Sequence, residues 1–275
     1  MTSLERVERP AAWAEPIGPI RFLQDAWTIA EGEVRKLRHD PSELITRAVQ
    51  PLLWLLVFGQ VLARTRAFPT GNLPYMDFLA PGVLAQSALF SAIFFGIAVI
   101  WERDLGVLHK YLVSPASRSA LVTGKALAGG LRSLAQAAMV YVVALLIGVH
   151  LRLDPVSIVG VAAVVVMGSA AFATFSLVIA CLVRTRERFM GIGQILTMPL
   201  FFASSAIYPI AIMPDWLKVV AQVNPLTYQV DALRELMLSG STVSASSVAV
   251  DFGVLTATTV VLIAIAARLY PRLAQ

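Results

Sequence analysis

The chain has 275 residues, 57% hydrophobic and only 14% charged, with a mean hydropathy of +0.74 and a formal net charge of +5. Soluble domains carry roughly 25% charged residues, so this composition fits lipid as the solvent. Its single cysteine, Cys181, excludes an internal disulfide, and the histidines at 39, 109 and 150 show no metal-ligand spacing.

Residues 1–20 are proline-rich and read as irregular, and the first 45 residues contain no signal-peptide h-region. In 21–39, Leu23, Trp27, Ala30, Val34 and Leu37 recur at helical spacing with charges on the remaining face. That pattern predicts an amphipathic helix lying in the membrane interface; a soluble helix on the cytoplasmic side is the alternative. "DPSE" then offers Asp40 as N-cap, Pro41 at the first helical position and Glu43 at the third.

Six spanning helices are predicted, at about 44–63, 79–100, 126–151, 156–183, 189–211 and 249–269. The runs 79–100, 133–151, 155–183 and 189–214 contain no Asp, Glu, Lys or Arg, and roughly 20 helical residues cross a bilayer. The fold class is therefore all-α integral membrane, with a cytoplasmic N-terminal part (1–45) and a six-span domain (46–275). Most of the 22 Lys and Arg residues fall in 1–45, 101–123, 184–188 and 268–275. The positive-inside rule then places both termini in the cytoplasm. Orientation in a plasma (inner) membrane explains the basic charge better than nucleic acid does.

Between the second and third spans lies "WERDLGVLHKYLVSPASRSALVTGK". Trp101, Leu105, Leu108 and Leu112 form one helical stripe, and Arg103, Asp104, His109 and Lys110 fall largely elsewhere. Ser114-Pro115 is expected to end this helix. Beyond the fifth span, Pro209 and Pro214 break the chain, and Trp216, Leu217, Val220 and Val223 mark a short helix. Asn224-Pro225 starts another, with Leu226, Val230, Leu233 and Met237 as its stripe and Gly240 as its stop. Both are too short and too charged to span, so they lie on the membrane or dip into it.

Catalytic chemistry is missing. "TGKA" fails the P-loop pattern, which needs Gly at 119 and Ser or Thr at 126 where the chain has Ser119 and Ala126. No nucleophile elbow, zinc-protease motif or triad is present, so the chain reads as no enzyme. The apolar runs carry no carboxylate, which disfavours ion-coupled transport. Arg132, the charged candidate inside a span, is read as snorkelling to the interface.

Three stretches carry a resemblance: "YMDFLAPGVLAQS", "ERDLGVLHKYLVSPASRSALVTGKALAG" and "YPIAIMPDWLKVVAQVNPLTYQVDALRELMLSG". The chain resembles, from about residue 20 to its end, the membrane permease of type-2 ATP-binding-cassette exporters, the group of daunorubicin-resistance-type efflux permeases. The resemblance implies that 102–118 is a coupling helix seated in a separate cytoplasmic ATPase subunit. Glu102, Arg103 and Asp104 would start it, Leu105, Leu108, Tyr111 and Leu112 would form its apolar side, and Pro115, Ala116 and Arg118 its turn. It also implies outer re-entrant helices over 212–240, around Pro209, Pro214, Trp216, Asn224, Pro225, Asp231 and Arg234. Two ATPase copies would hold ATP and Mg, with no cofactor on this chain. A second permease copy or homologue would complete the route through the surrounding lipids. Phe90, Phe94, Phe95, Phe172 and Phe175 are candidates for lining that route, with ordinary packing or lipid contact as the alternative for each. Small residues such as Gly168, Ser169 and Ala170 would allow close helix approach. The expected cargo is an amphiphilic drug or lipid-like molecule. Polysaccharide or lipo-oligosaccharide export is the nearest alternative, and a non-transporting membrane anchor the alternative of another class.

Overall fold

The computed structural model describes residues 18–39, 49–65, 68–70, 73–106, 117–183, 185–238 and 247–270, with backbone alone at 33, 34 and 36–39. Those residues form α1 (Pro19–His39), α2 (Val49–Thr65), α3 (Tyr75–Asp104), α4 (Arg118–Leu146), α5 (Pro155–Leu182), α6 (Arg186–Phe202), α7 (Asp215–Val223), α8 (Pro225–Met237) and α9 (Val248–Leu269). Among them α3, α4, α5 and α9 are long and apolar enough to cross a membrane. The other two expected spans fall on the shorter helices α2 and α6. The protein is an all-α membrane protein.

Helix α5 sits at the centre, packed on α3, α4, α8 and α9. It is apolar all round, as a helix surrounded by others should be, and its small residues set the spacing. A Cβ on Gly96 of α3 would lie 2.3 Å from Ser176 Oγ of α5, and one on Gly129 of α4 would lie 2.7 Å from Ala173 Cβ. Ser176 uses that proximity: its hydroxyl donates to the Ile93 carbonyl at 2.5 Å and accepts from Gly96 N–H at 3.1 Å. Without a hydrophobic force between helices in lipid, such close backbone contacts and interhelical hydrogen bonds hold the bundle.

Sequence-local signals end the helices where charge patterning does not. Ser117 caps α4 by accepting from Ala120 N–H at 3.1 Å. Gly148, at φ +86°, closes α4 with its N–H on Leu145 and the next N–H on the Ala144 carbonyl, the paired bonds of a glycine-terminated helix. Asp154 caps α5 through Ser157 N–H at 2.9 Å, and that backbone bond holds the Asp154 carboxyl below its ordinary range.

Four expectations are corrected. The stripe from Trp101 to Leu112 does not run along one unbroken helix. α3 ends at Asp104, and Gly106 adopts φ +71° with its N–H on the Arg103 carbonyl. Residues 102–104 thus belong to the last turn of a spanning helix and Arg118 to the first turn of α4; positions 107–116 of the expected coupling helix lie outside the described residues. The fifth span stops at Phe202 rather than 211. Pro199 withdraws a ladder N–H inside α6, and the Asn224 side chain takes the Leu200 and Ala203 carbonyls at 2.7 and 2.8 Å.

The stripe expected on α1 divides as well. Ala26 and Ala30 are buried against α4, where a Cβ on Gly124 would come 2.6 Å from the Ala26 carbonyl. Only an alanine face fits so close an approach, so Ile20, Leu23 and Trp27 turn outward at 60–72% exposure. Finally, α8 ends at Met237, before Gly240. Gly240, the Asp40–Glu43 start signal, Leu108, Tyr111, Leu112, Pro115 and Ala116 lie outside the described residues.

Candidate functional site

Three clusters divide the bundle from one end to the other. At the first end, α3, α4 and the α5–α6 turn converge. Glu102 Oε2 lies 2.5 Å from Lys125 Nζ of α4, and both side chains are buried or nearly so. Arg103 donates to the Val183 carbonyl at 3.3 Å, where α5 ends. Asp104 accepts from Arg186 of α6 at 2.7 and 3.0 Å, and that guanidinium lies 3.7 Å from the Trp101 ring centroid. Leu105 is exposed, as is Trp101.

Midway, a groove of about 230 Å³ runs between α2, α3 and α6, lined by Gln50, Phe90, Phe94, Met190, Gly193, Gln194, Thr197 and Met198. The structure thus separates the five candidate phenylalanines. Phe90 and Phe94 face the groove; Phe95 and Phe172 are buried at 2% and 3% exposure, and Phe175 is half-buried against the core. Arg132 does not stand apart: its guanidinium lies 5.9 Å from the centre of the Phe95 ring.

The opposite end is a closed block. Arg234 is among the largest wholly buried side chains. Its Nη1 lies 3.1 Å from Asp231 Oδ1, its Nη2 donates to the Ser205 carbonyl at 2.8 Å, and its plane sits 4.0 Å from the Phe78 ring centroid. Ser205 returns a hydroxyl to Asp231 at 2.8 Å, and the Tyr75 hydroxyl donates to the Ile207 carbonyl at 3.1 Å. α3, the 203–208 turn and α8 therefore form one polar-pinned unit inside apolar surroundings. Asp77, 7% exposed on its side chain, ties α3 to the α4–α5 turn through His150, by Nδ1 at 3.0 Å and backbone N–H at 3.3 Å.

Asn224 joins the last helices to α6: Oδ1 caps α8 through Leu226 N–H at 3.0 Å while Nδ2 holds the two α6 carbonyls. Pro225 occupies the first position of α8, and Pro209 and Pro214 precede the 3₁₀ turn Ile210–Ile212 and α7. The α8 stripe, Leu226, Val230, Leu233 and Met237, is wholly buried. By contrast the α7 stripe faces out, with Trp216, Val219, Val220 and Val223 exposed and Leu217 half-buried. Asn224→Ala removes a helix cap and two carbonyl partners at once, and is expected to cost about 2 kcal/mol. Thermal unfolding in detergent checks this; Asn224→Ser, which keeps only the cap, should fall in between.

A profile for the ABC-2 type transporter family matches residues 24–238, which spans the segment from α1 to the end of α8. The chain belongs to the ABC-2 type transporter family. Among relatives, the transport permease ycf38 of Cyanophora paradoxa is 29% identical over 229 residues, 82% of this chain and 78% of that protein. The daunorubicin resistance ABC transporter permease protein DrrB1 of Streptomyces coeruleorubidus is 25% identical over 236 residues, covering 86% and 80%. Nodulation protein J of Rhizobium leguminosarum bv. trifolii is 25% identical over 199 residues, covering 72% and 74%.

An ABC-2 permease is a membrane transport subunit rather than a catalytic domain, and permeases of this family work with an ATPase partner. Within that frame, residues missed by sequence reasoning stand out: Lys125, Arg186, Ser205, Gln50 and Gln194. Lys125 carried a readable signal, a lysine inside the apolar first turns of a spanning helix. Arg186, Ser205 and the two glutamines gain meaning only from tertiary neighbours.

Proposed function

We propose that this chain is the membrane subunit of an ATP-driven exporter that moves amphiphilic drugs or lipid-like molecules out of the cytoplasm or the inner leaflet. The groove between α2, α3 and α6 carries this reading. It sets Phe90, Phe94, Met190 and Met198 beside the neutral amides of Gln50 and Gln194 and the Thr197 hydroxyl, with no formal charge among the described residues that line it. Aromatic and thioether surface accommodates varied apolar bodies, and a few neutral polar groups fix orientation. An amphiphile presents that mixture, and the name of the Streptomyces relative supports a drug-like cargo. A saccharide chain would instead favour a continuous polar and aromatic track, and an anchor would need no groove.

The first end of the bundle faces the cytoplasm in this reading. It carries Arg103, Arg186 and Arg188 with α1 alongside, and the positive-inside rule favours that side. Segment 105–117 is then the part that docks on two ATPase subunits, which hold ATP and Mg, and a second permease copy or homologue completes the pathway. The exposed faces of α2, α6 and α9 are available to that copy and to membrane lipids. Co-purification with the ATPase in mild detergent tests the assignment. Leu108→Asp with Leu112→Asp is expected to reduce ATPase association at least tenfold, about 1.4 kcal/mol, with membrane insertion intact. Undiminished association with normal transport refutes the docking role.

A further inference from the structure

The last turn of α3 grips three helices with three consecutive side chains. Glu102 reaches α4 through Lys125, Arg103 reaches the end of α5 through the Val183 carbonyl, and Asp104 reaches α6 through Arg186. Gly106 then turns the chain out of the helix, and Ser117 caps its return into α4. Segment 105–117 therefore leaves from one helix end and re-enters at another, and Glu102–Lys125 fastens those two ends together.

The grips are unequal. Side chains of Asp104 and Arg186 are 35% and 33% exposed, so water and salt weaken their attraction. Those of Lys125 and Glu102 are 1% and 11% exposed. There the attraction is screened far less, and pulling the two apart separates charges that burial keeps from water. Desolvation offsets much of what such a pair gains, so net stability is a weak reason for it to exist. A fixed geometry between two helix ends is the better one. α1 reinforces the same junction, since Gly124, beside Lys125, lies directly against Ala26.

Resting on the exporter reading above, we infer that Glu102 and Lys125 are positioning residues of the transport cycle. They make α3 and α4 respond as one body to displacement of segment 105–117, while the solvent-exposed Asp104–Arg186 tie lets α6 follow less stiffly. Neither residue is among those lining the groove. The pair acts by converting movement of a cytoplasmic segment into movement of a spanning helix, and its geometry serves that conversion whatever the cargo.

The test uses the complex of the full chain with its co-purifying ATPase in lipid nanodiscs. Nitroxide labels go on Leu146→Cys and Val250→Cys, exposed positions at the far ends of α4 and α9. Distance distributions are recorded with and without ATP plus vanadate and read per bound ATPase subunit. The native pair should show a nucleotide-dependent shift. E102L/K125M, which removes both charges of the pair together, should fold yet lose at least half of that shift, and the swap E102K/K125E should restore it. A full shift in E102L/K125M overturns the inference, as does a swap no better than E102L/K125M. A native complex with no shift fails differently, because it contradicts the exporter reading itself.

Discussion

Arg234→Met destabilises the folded chain by about 3–5 kcal/mol, the cost of stranding one charge of a buried pair. Asp231 would lose the guanidinium at 3.1 Å while staying 2% exposed beside the Ser205 hydroxyl at 2.8 Å. The Ser205 carbonyl would also lose its donor. Burial already pushes the Arg234 pKa down to about 10, against the opposing pull of Asp231; the guanidinium is held by partners rather than by solvent. The double variant Arg234→Met with Asp231→Leu exchanges the pair for apolar surface, so it should recover most of the loss. Thermal unfolding of the three proteins in the same detergent measures this. Equal losses in single and double variants would show that packing around Phe78, and not the ion pair, holds this block.

Gly82→Ala is the second large effect, and it contrasts with Gly168→Ala. A Cβ at Gly82 would lie 2.1 Å from the Ala206 carbonyl oxygen and 2.8 Å from its Cα, so backbone must move. Overpacking of this kind costs about 1–3 kcal/mol or more, and here it would pry the 203–208 turn from α3. At Gly168 the obstacle is the Gln229 side-chain amide, 2.3 Å away. That amide can swing, and its polar atoms form no hydrogen bond among the described residues. Gly168→Ala should therefore cost about 1 kcal/mol, well below Gly82→Ala. Paired unfolding midpoints decide it, and the reverse order would mean that the turn yields more readily than the side chain.

Fold class was readable because lipid demands long uncharged runs, and the sequence displays them without ambiguity. Helix limits were less readable because membrane boundaries and helix boundaries are set by different physics. Charge marks where a helix leaves the hydrocarbon, whereas capping residues and left-handed glycines mark where it stops. α3 shows the difference: its apolar run ends at Ile100, but its helix continues to Asp104 and Gly106 ends it. That is why Glu102–Asp104 read as the start of a separate amphipathic helix instead of the foot of a spanning one.

The site was legible in proportion to how local its signals are. Asn224-Pro225 announced α8 and its buried stripe, because cap and stripe depend on neighbours in sequence. Arg234 and Asp231 lie three apart on that helix, yet nothing local reveals that Ser205 and Phe78 enclose them. The phenylalanines make the same point. Phe94 and Phe95 are adjacent in sequence, but one lines the groove and the other is sealed in the core.

ATP-dependent movement of cargo tests the central claim most directly. The chain and its co-purifying ATPase are reconstituted into sealed vesicles, and redistribution of daunorubicin and of a fluorescent phospholipid is followed on adding ATP and Mg. The account predicts ATP-dependent movement of at least one of these amphiphiles, slowed by Phe94→Ala with Gln194→Ala and absent when the ATPase is omitted. Redistribution at the same rate without ATP, or a correctly inserted chain that retains no ATPase, would contradict it.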